Sequence, residues 1–429
     1  MELEKAGVAT VTVVTDAFLD LGAEVAAALG APDIGVAVVP HPLGELKREQ
    51  VVETSRRAFA NIMVALRQPR ERAAAAPSET MPRMLDLTGS WERINDYFCT
   101  EGWTDGLPIV PPTPEAVEAC LEWVMMPPDQ LIGIEPVRGL AITAEKLAIN
   151  AVMAGCLPMH FPVVVTAWMA MMQDEFLMHG ATASTGGCAV LVVLNGPIRL
   201  ELGASGTFNA LGNSDRATAV IGRAVRLCLI NLMDVRPGVI DRSTLGHPGK
   251  YSYCLAEDEE DSSWLPLAEQ RGVPKGASSV TVMAAGAPRQ LMNEWTTKPE
   301  EILETFAAEM RANLRHYSIH PGNYALIIPK QLREHLQAAG WTKTDIARFI
   351  HERARIHRRE WAEVGKGAVV RDRGDSIYPA MESPDQLLVI AAGGPAGGFG
   401  AVIPPWLGNK SHAVTVPVGV CVDCEPPKK

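Results

Sequence analysis

Two short stretches carry residue types that acid–base chemistry needs. His247-Pro248-Gly249-Lys250-Tyr251 sets an imidazole, an ammonium and a phenol side by side, and His320-Pro321-Gly322-Asn323-Tyr324 repeats the imidazole and the phenol. Pro-Gly favours a tight turn, because proline presets φ and glycine tolerates positive values. Held by such turns, His247, Lys250, Tyr251 and His320 could supply an acid, a cation and a hydroxyl. A histidine in a turn can equally be structural; the second copy is what raises the functional reading.

A second group of candidates lies just upstream. Ser184-Thr185-Gly186-Gly187-Cys188 leads into an apolar run, so Cys188 reads either as a thiol nucleophile or as a buried strand cysteine. The loops around Ser205 and Asn209-Ala210-Leu211-Gly212-Asn213 precede a helical pattern beginning near Ser214. A Gly/Asn/Ser loop that opens a helix offers free N–H groups and the positive end of the dipole, which suits a carboxylate or phosphate. The structural alternative is a turn closed by an N-cap from Asn213 or Ser214. Neither a Walker loop nor GxGxxG is present, so no nucleotide cofactor is implied, and the cofactor stays unknown. The acidic run Glu257-Asp258-Glu259-Glu260-Asp261 reads as a solvated loop, without the clustered histidines of a metal site. Gly393-Gly394-Pro395-Ala396-Gly397-Gly398 would let backbone approach a substrate or serve as a loop, and Cys421-Val422-Asp423-Cys424 is a lone CxxC.

These residues must be held by α/β elements. From residue 86 onward, helix, Pro/His turn and strand recur as three rough copies. The first has Ala144 to Gly155, Pro158 to Pro162 and Val190 to Val193. In the second come Ser214 to Met233, His247-Pro248-Gly249 and Ser279 to Met283; in the third, Pro299 to Leu314, His320-Pro321-Gly322 and Leu387 to Ala391. The uncharged span Leu147 to Met172 is long enough for a bilayer, but Asn150, Pro158, His160 and Pro162 interrupt it, so it reads as two buried elements and a turn. Arg353 to Arg359 reads as a solvated helix face between Glu352 and Glu360.

The N-terminal segment reads as strand, helix, strand, helix: Gly7 to Val14, Leu19 to Leu29, Ile34 to Val39 and Lys47 to Leu66. Glu2-Leu3-Glu4-Lys5-Ala6-Gly7, Thr15-Asp16-Ala17-Phe18, Ala28-Leu29-Gly30-Ala31-Pro32-Asp33 and Val38-Val39-Pro40-His41-Pro42-Leu43-Gly44 stand there in order. In these motifs the segment resembles the UGSC (seleno)protein family. The resemblance implies a preceding half-domain with a Cys/selenocysteine-Gly-Ser-Cys motif, and no Gly-Ser-Cys occurs in this chain. It also implies that a partner chain or an upstream segment carries that thiol or selenol. Thr15, Asp16 and His41 fall beyond strand C-termini, where open α/β sheets bind ligands. They are expected to line that group, with His41 as a nearby cation.

The chain has 429 residues, 47% hydrophobic, with a formal charge of −11. That balance, without a basic stripe, argues against a nucleic-acid partner. The charged N-terminus is not a signal peptide, no membrane partner is implied, and eight cysteines in such a chain point to reduced thiols in the cytoplasm. The expected fold is α/β: residues 1–68 as a small incomplete open α/β unit (the C-terminal half of a UGSC-like domain), a linker over 69–85, and a large α/β domain over 86–429 with approximate internal repeats. Three functions stay open. The first is an enzyme subunit or fragment, oxidoreductase-like, that works with a redox-active thiol or selenol on a small anionic or carbonyl substrate. The others are a non-redox hydrolase or lyase at the repeat interface, and a non-catalytic ligand-binding subunit.

Overall fold

The computed structural model describes residues 8–28, 32–43, 46–67, 84–212, 214–260, 262–317, 319–366, 377–406 and 411–419. The architecture is α/β. In the N-terminal unit, β1 (Val11–Thr15) and β2 (Gly35–Val39) pair in parallel. The helix Leu19–Ala28 follows β1, and Arg48–Arg67 packs on β2. Two strands give an open sheet: Val13 and Val38 remain about half exposed, on a parallel pair that the described residues cover only in part.

The interrupted apolar span is two helices. Ala144–Ala154 ends at Gly155, whose φ of 93° is the left-handed value glycine tolerates, and Phe161–Met171 starts with Pro162 in its first turn. No helix among the described residues is long and apolar enough to cross a membrane. The Arg353 to Arg359 stretch is not one helix. A helix ends at Arg353, Arg355–His357 forms a short strand, and a new helix begins at Arg358.

Two small antiparallel pairs stand apart, β3 (Leu131–Ile134) with β4 (Ala141–Thr143) and β10 (Arg355–His357) with β11 (Ile377–Pro379). Two four-stranded sheets organise the rest. One contains β5 (Ala189–Asn195), β6 (Cys254–Ala256), β7 (Ser279–Ala285) and β14 (Val414–Pro417), in the order β14-β7-β5-β6. The other contains β8 (Arg289–Met292), β9 (Tyr324–Ile328), β12 (Leu387–Ala391) and β13 (Phe399–Ile403), in the order β8-β13-β9-β12. Directions match position for position: antiparallel, antiparallel, parallel. Each parallel pair is joined through helix, Arg216–Met233 between β5 and β6, and Lys330–Ala338 with Lys343–Arg353 between β9 and β12.

The internal repeat is therefore twofold, not threefold: β5-β6-β7-β8 corresponds to β9-β12-β13-β14. Each unit sends its fourth strand to the other's sheet, since β8 pairs with β13 and β14 with β7. Alternation then sorts the side chains. Leu191 and Val193 of β5 join Ala325 and Ile327 of β9 in a core between the sheets. Val192 and Leu194 face one helical layer, and Leu326 and Ile328 the other. The result is four layers, helices outside and two sheets within.

The two His-Pro-Gly turns do not occupy equivalent places. His247 precedes β6, at a sheet edge, whereas His320 precedes β9, in the interior of its sheet. The sequence likeness is one of turn chemistry, not of topological position.

Candidate functional site

Asp241 is the centre of the best-formed polar site, and it is buried. Its carboxylate accepts from Lys250 Nζ at 2.6 Å, Ser243 Oγ at 2.6 Å and Arg226 at 3.3 Å. Lys250 also donates to Ser243 Oγ at 2.8 Å. Burial pushes the Asp241 carboxyl up, but the bonds from Lys250 and Ser243 outweigh it and hold it below the ordinary range. Arg226 and Lys250 against Asp241 leave one positive charge in excess, so a small anion is favoured here.

Cys188, Thr182, Gly249 and Lys250 line a small cavity at this site, with Arg226 and Val190. Its volume of about 30 Å³ takes a water or one small group. The Ser184–Cys188 loop reaches it because Gly187 has a φ of 70° and lies against Gly246, where a Cβ would come within 2.9 Å of the Gly246 nitrogen. Thr244 N–H donates to Thr185 O at 3.1 Å and ties the same two loops together. From the other unit, Tyr317 donates its hydroxyl to Gly186 O at 3.2 Å.

The candidates that meet here are unequal. Cys188 Sγ is buried and donates to Ala181 O, and burial raises its thiol to about 12. It is a protonated thiol at neutral pH, not a nucleophilic thiolate. His247 accepts Gly249 N–H at Nδ1, 3.1 Å, which leaves Nε2 to donate to Ala285 O at 3.3 Å. Both ring nitrogens are thus engaged by backbone, and burial lowers the imidazole pKa. That geometry is a turn cap, contrary to its reading as the acid. Tyr251 is exposed beside the site. His320 lies at the neighbouring turn, where Gly322 packs against Pro405.

Ser205 and Asn209 are at the opposite end of the sheet. Asp258, just past β6, abuts Gly206, whose added Cβ would meet Asp258 N at 2.6 Å. Parallel β5 and β6 separate this end from the His247 turn by roughly 20 Å. The anion expected at the helix start is the chain's own: Asp215 caps the helix Arg216–Met233, taking Thr218 N–H at 2.7 Å and Ser205 N–H at 2.9 Å. The cap is thus neither Asn213 nor Ser214, and Asn213 lies outside the described residues, as do Cys421 and Cys424.

The acidic run is not a solvated loop. Glu257 and Asp258 are buried. Glu257 pairs with Lys343 and accepts from Asn195 at 2.6 Å and from the Leu267 and Ala391 N–H groups. Asp258 accepts from Arg333 at 2.7 Å, and Arg199 holds Glu260 through two bonds. The contacts from Lys343, Arg333 and Ala391 fasten one unit to the other.

Thr15, Asp16 and His41 do come together at the ends of β1 and β2. Thr15 Oγ1 lies 3.1 Å from His41 Nδ1, and Asp16 accepts His41 N–H at 3.2 Å. Arg242, next to Asp241, donates to Ala17 O, so this edge touches the loop of the Asp241 site. Residues 1–68 match the UGSC family. No curated protein and no solved structure matches the chain. Through the Arg242–Ala17 bond the matched segment touches the loop that carries Asp241. Sequence reasoning missed Asp241, Ser243, Arg226 and Arg242. The polar tetrapeptide Asp241-Arg242-Ser243-Thr244, two residues before His247, was the available signal.

Proposed function

We propose that the chain is an enzyme subunit or fragment that works, in a reduced cytoplasmic setting, with a redox-active thiol or selenol on a Cys/selenocysteine-Gly-Ser-Cys segment. That segment docks beside β1, as a partner chain or as further polypeptide of the same chain. The substrate is a small anionic or carbonyl compound drawn by the Arg226–Lys250 cations. When the thiol or selenol pair closes to a disulfide or selenenyl sulfide, two electrons and two protons leave it for the substrate.

The observation that carries this reading is the Arg242–Ala17 contact, which joins the UGSC edge to the Asp241 loop. Cys188 is protonated and enclosed, which favours a thiol from elsewhere. The hydrolase or lyase reading is weakened by the engagement of both His247 nitrogens.

The test is thiol mapping on protein purified from its native source without reductant. Brief alkylation at pH 6 followed by peptide mass spectrometry should label a Gly-Ser-Cys peptide that copurifies with the chain. Labelling confined to Cys99, Cys421 and Cys424, with no such peptide present, would defeat the proposal.

A further inference from the structure

Far from the Asp241 site, an open cleft of about 440 Å³ lies between the segment after β8 and the helix Lys330–Ala338. That size falls in the range of small-molecule sites. Trp295 stands in it with 71% of its surface exposed. Among the described residues the indole stacks on no ring and its N–H meets no protein acceptor. Gln331 and His335 line the facing helix, and among the described residues their side chains have no hydrogen-bond partner.

One side chain that lines the cleft is buried and polar. Asn293 is buried, and its amide donates to Thr305 Oγ1 at 2.9 Å while its Oδ1 has no donor among the described residues. Glu294 accepts Gly398 N–H at 3.2 Å, which fixes the glycine-rich loop at the rim. The charges decide between ligand classes. Lys298 is already paired with Glu301 at 2.8 Å, and Glu294 has no cation paired with it among the described residues. The lining is therefore net negative, which repels phosphates and carboxylates. A single indole face also lacks the several rings of an aromatic cage for quaternary amines.

We propose that this cleft binds a neutral sugar or cyclic polyol. The apolar C–H face of the ring lies on Trp295, whose aromatic surface offers area and an N–H at its edge. Hydroxyls donate to Glu294 and exchange hydrogen bonds with Gln331 and His335. The site shares no residue with the Asp241 site, so the two readings stand or fall separately.

The experiment is saturation-transfer NMR on the full chain with D-glucose, maltose and cellobiose, each tested separately. Glucose 6-phosphate and tetramethylammonium serve as charged comparisons. Transfer to the ring C–H protons of at least one neutral sugar is expected, with affinity reduced tenfold or more in Trp295→Ala and in Gln331→Ala. Because Trp295 is exposed, Trp295→Ala should keep the wild-type melting temperature, which separates lost binding from lost fold. No transfer to any neutral sugar, equal transfer in Trp295→Ala, or a preference for either charged probe would overturn the proposal.

Discussion

Ala285 and Pro405 form an antiparallel bridge where the two exchanged strands part company. Gly286 N–H donates to Pro404 O at 2.8 Å and Trp406 N–H to Ala284 O at 2.9 Å, so the two crossing arms hydrogen-bond to each other. Each unit's sheet is finished by the other's last strand. Without β14, the buried strand β7 becomes an open edge, the arrangement most prone to wrong pairing. A chain divided between Thr297 and Lys298 should therefore yield two fragments that are insoluble alone and soluble when co-expressed. Independent folding of either fragment, judged by cooperative melting, would contradict the exchange.

Cysteine reactivity should follow burial. Among the described cysteines Cys99 is exposed, whereas Cys120, Cys156, Cys188, Cys228 and Cys254 are buried. Burial raises Cys120 to about 11 and Cys188 to about 12. Iodoacetamide at pH 8 should thus modify Cys99 within minutes and spare Cys188 until the protein is unfolded. Early labelling of Cys188 would return it to the list of nucleophiles.

Stability should fall as the pH drops from 7 to 5. Burial lowers the pKa of His160, His179 and His247, so the unfolded chain binds more protons near its own histidine pKa of about 6.5. A lowered folded pKa gives stability that is complete above the unfolded value and lost below it. His247→Asn can still accept the Gly249 N–H through its amide oxygen and cannot titrate. The variant should show a shallower decline in urea midpoint between pH 7 and 5 than the wild type. An unchanged slope would remove His247 from this account.

What the sequence makes legible here is local. Runs rich in Val placed β1 and β2 within a few residues, and Pro158 and Pro162 divided the apolar span correctly because proline acts on its own backbone. Long-range relations were not legible. Five successive carboxylates read as solvated, because the counter-ions that pair with them are remote: Arg199 is 61 residues from Glu260, Arg333 is 75 from Asp258 and Lys343 is 86 from Glu257. Strand exchange is equally silent. Gly286-Ala287-Pro288 after β7 and Pro404-Pro405 after β13 read as ordinary corners, and neither shows that the chain goes on into the other sheet. At the candidate site, His247 and Lys250 were visible as residue types, yet Asp241, which accepts from Lys250 and Arg226, lies in a short polar loop with no motif to single it out.

The buried pair Lys343–Glu257 gives the sharpest energetic test. Lys343 comes from the second unit, Glu257 from the first, and both are buried. Removing one member of such a pair strands the other charge away from water, which costs about 3–5 kcal/mol. In Lys343→Met the Glu257 carboxylate keeps Asn195 Nδ2 and the Leu267 and Ala391 N–H groups, so the lower end of that range is expected. Removing both charges is a different matter, because a neutral amide in place of Glu257 can keep some of those donors and leaves no buried ion. Lys343→Met combined with Glu257→Gln should therefore be more stable than Lys343→Met alone, read as a higher urea midpoint at an unchanged slope. If Lys343→Met costs less than about 1 kcal/mol, the contact behaves as an exposed surface pair. The two units would then be held by the shared apolar core and the exchanged strands, without help from this network.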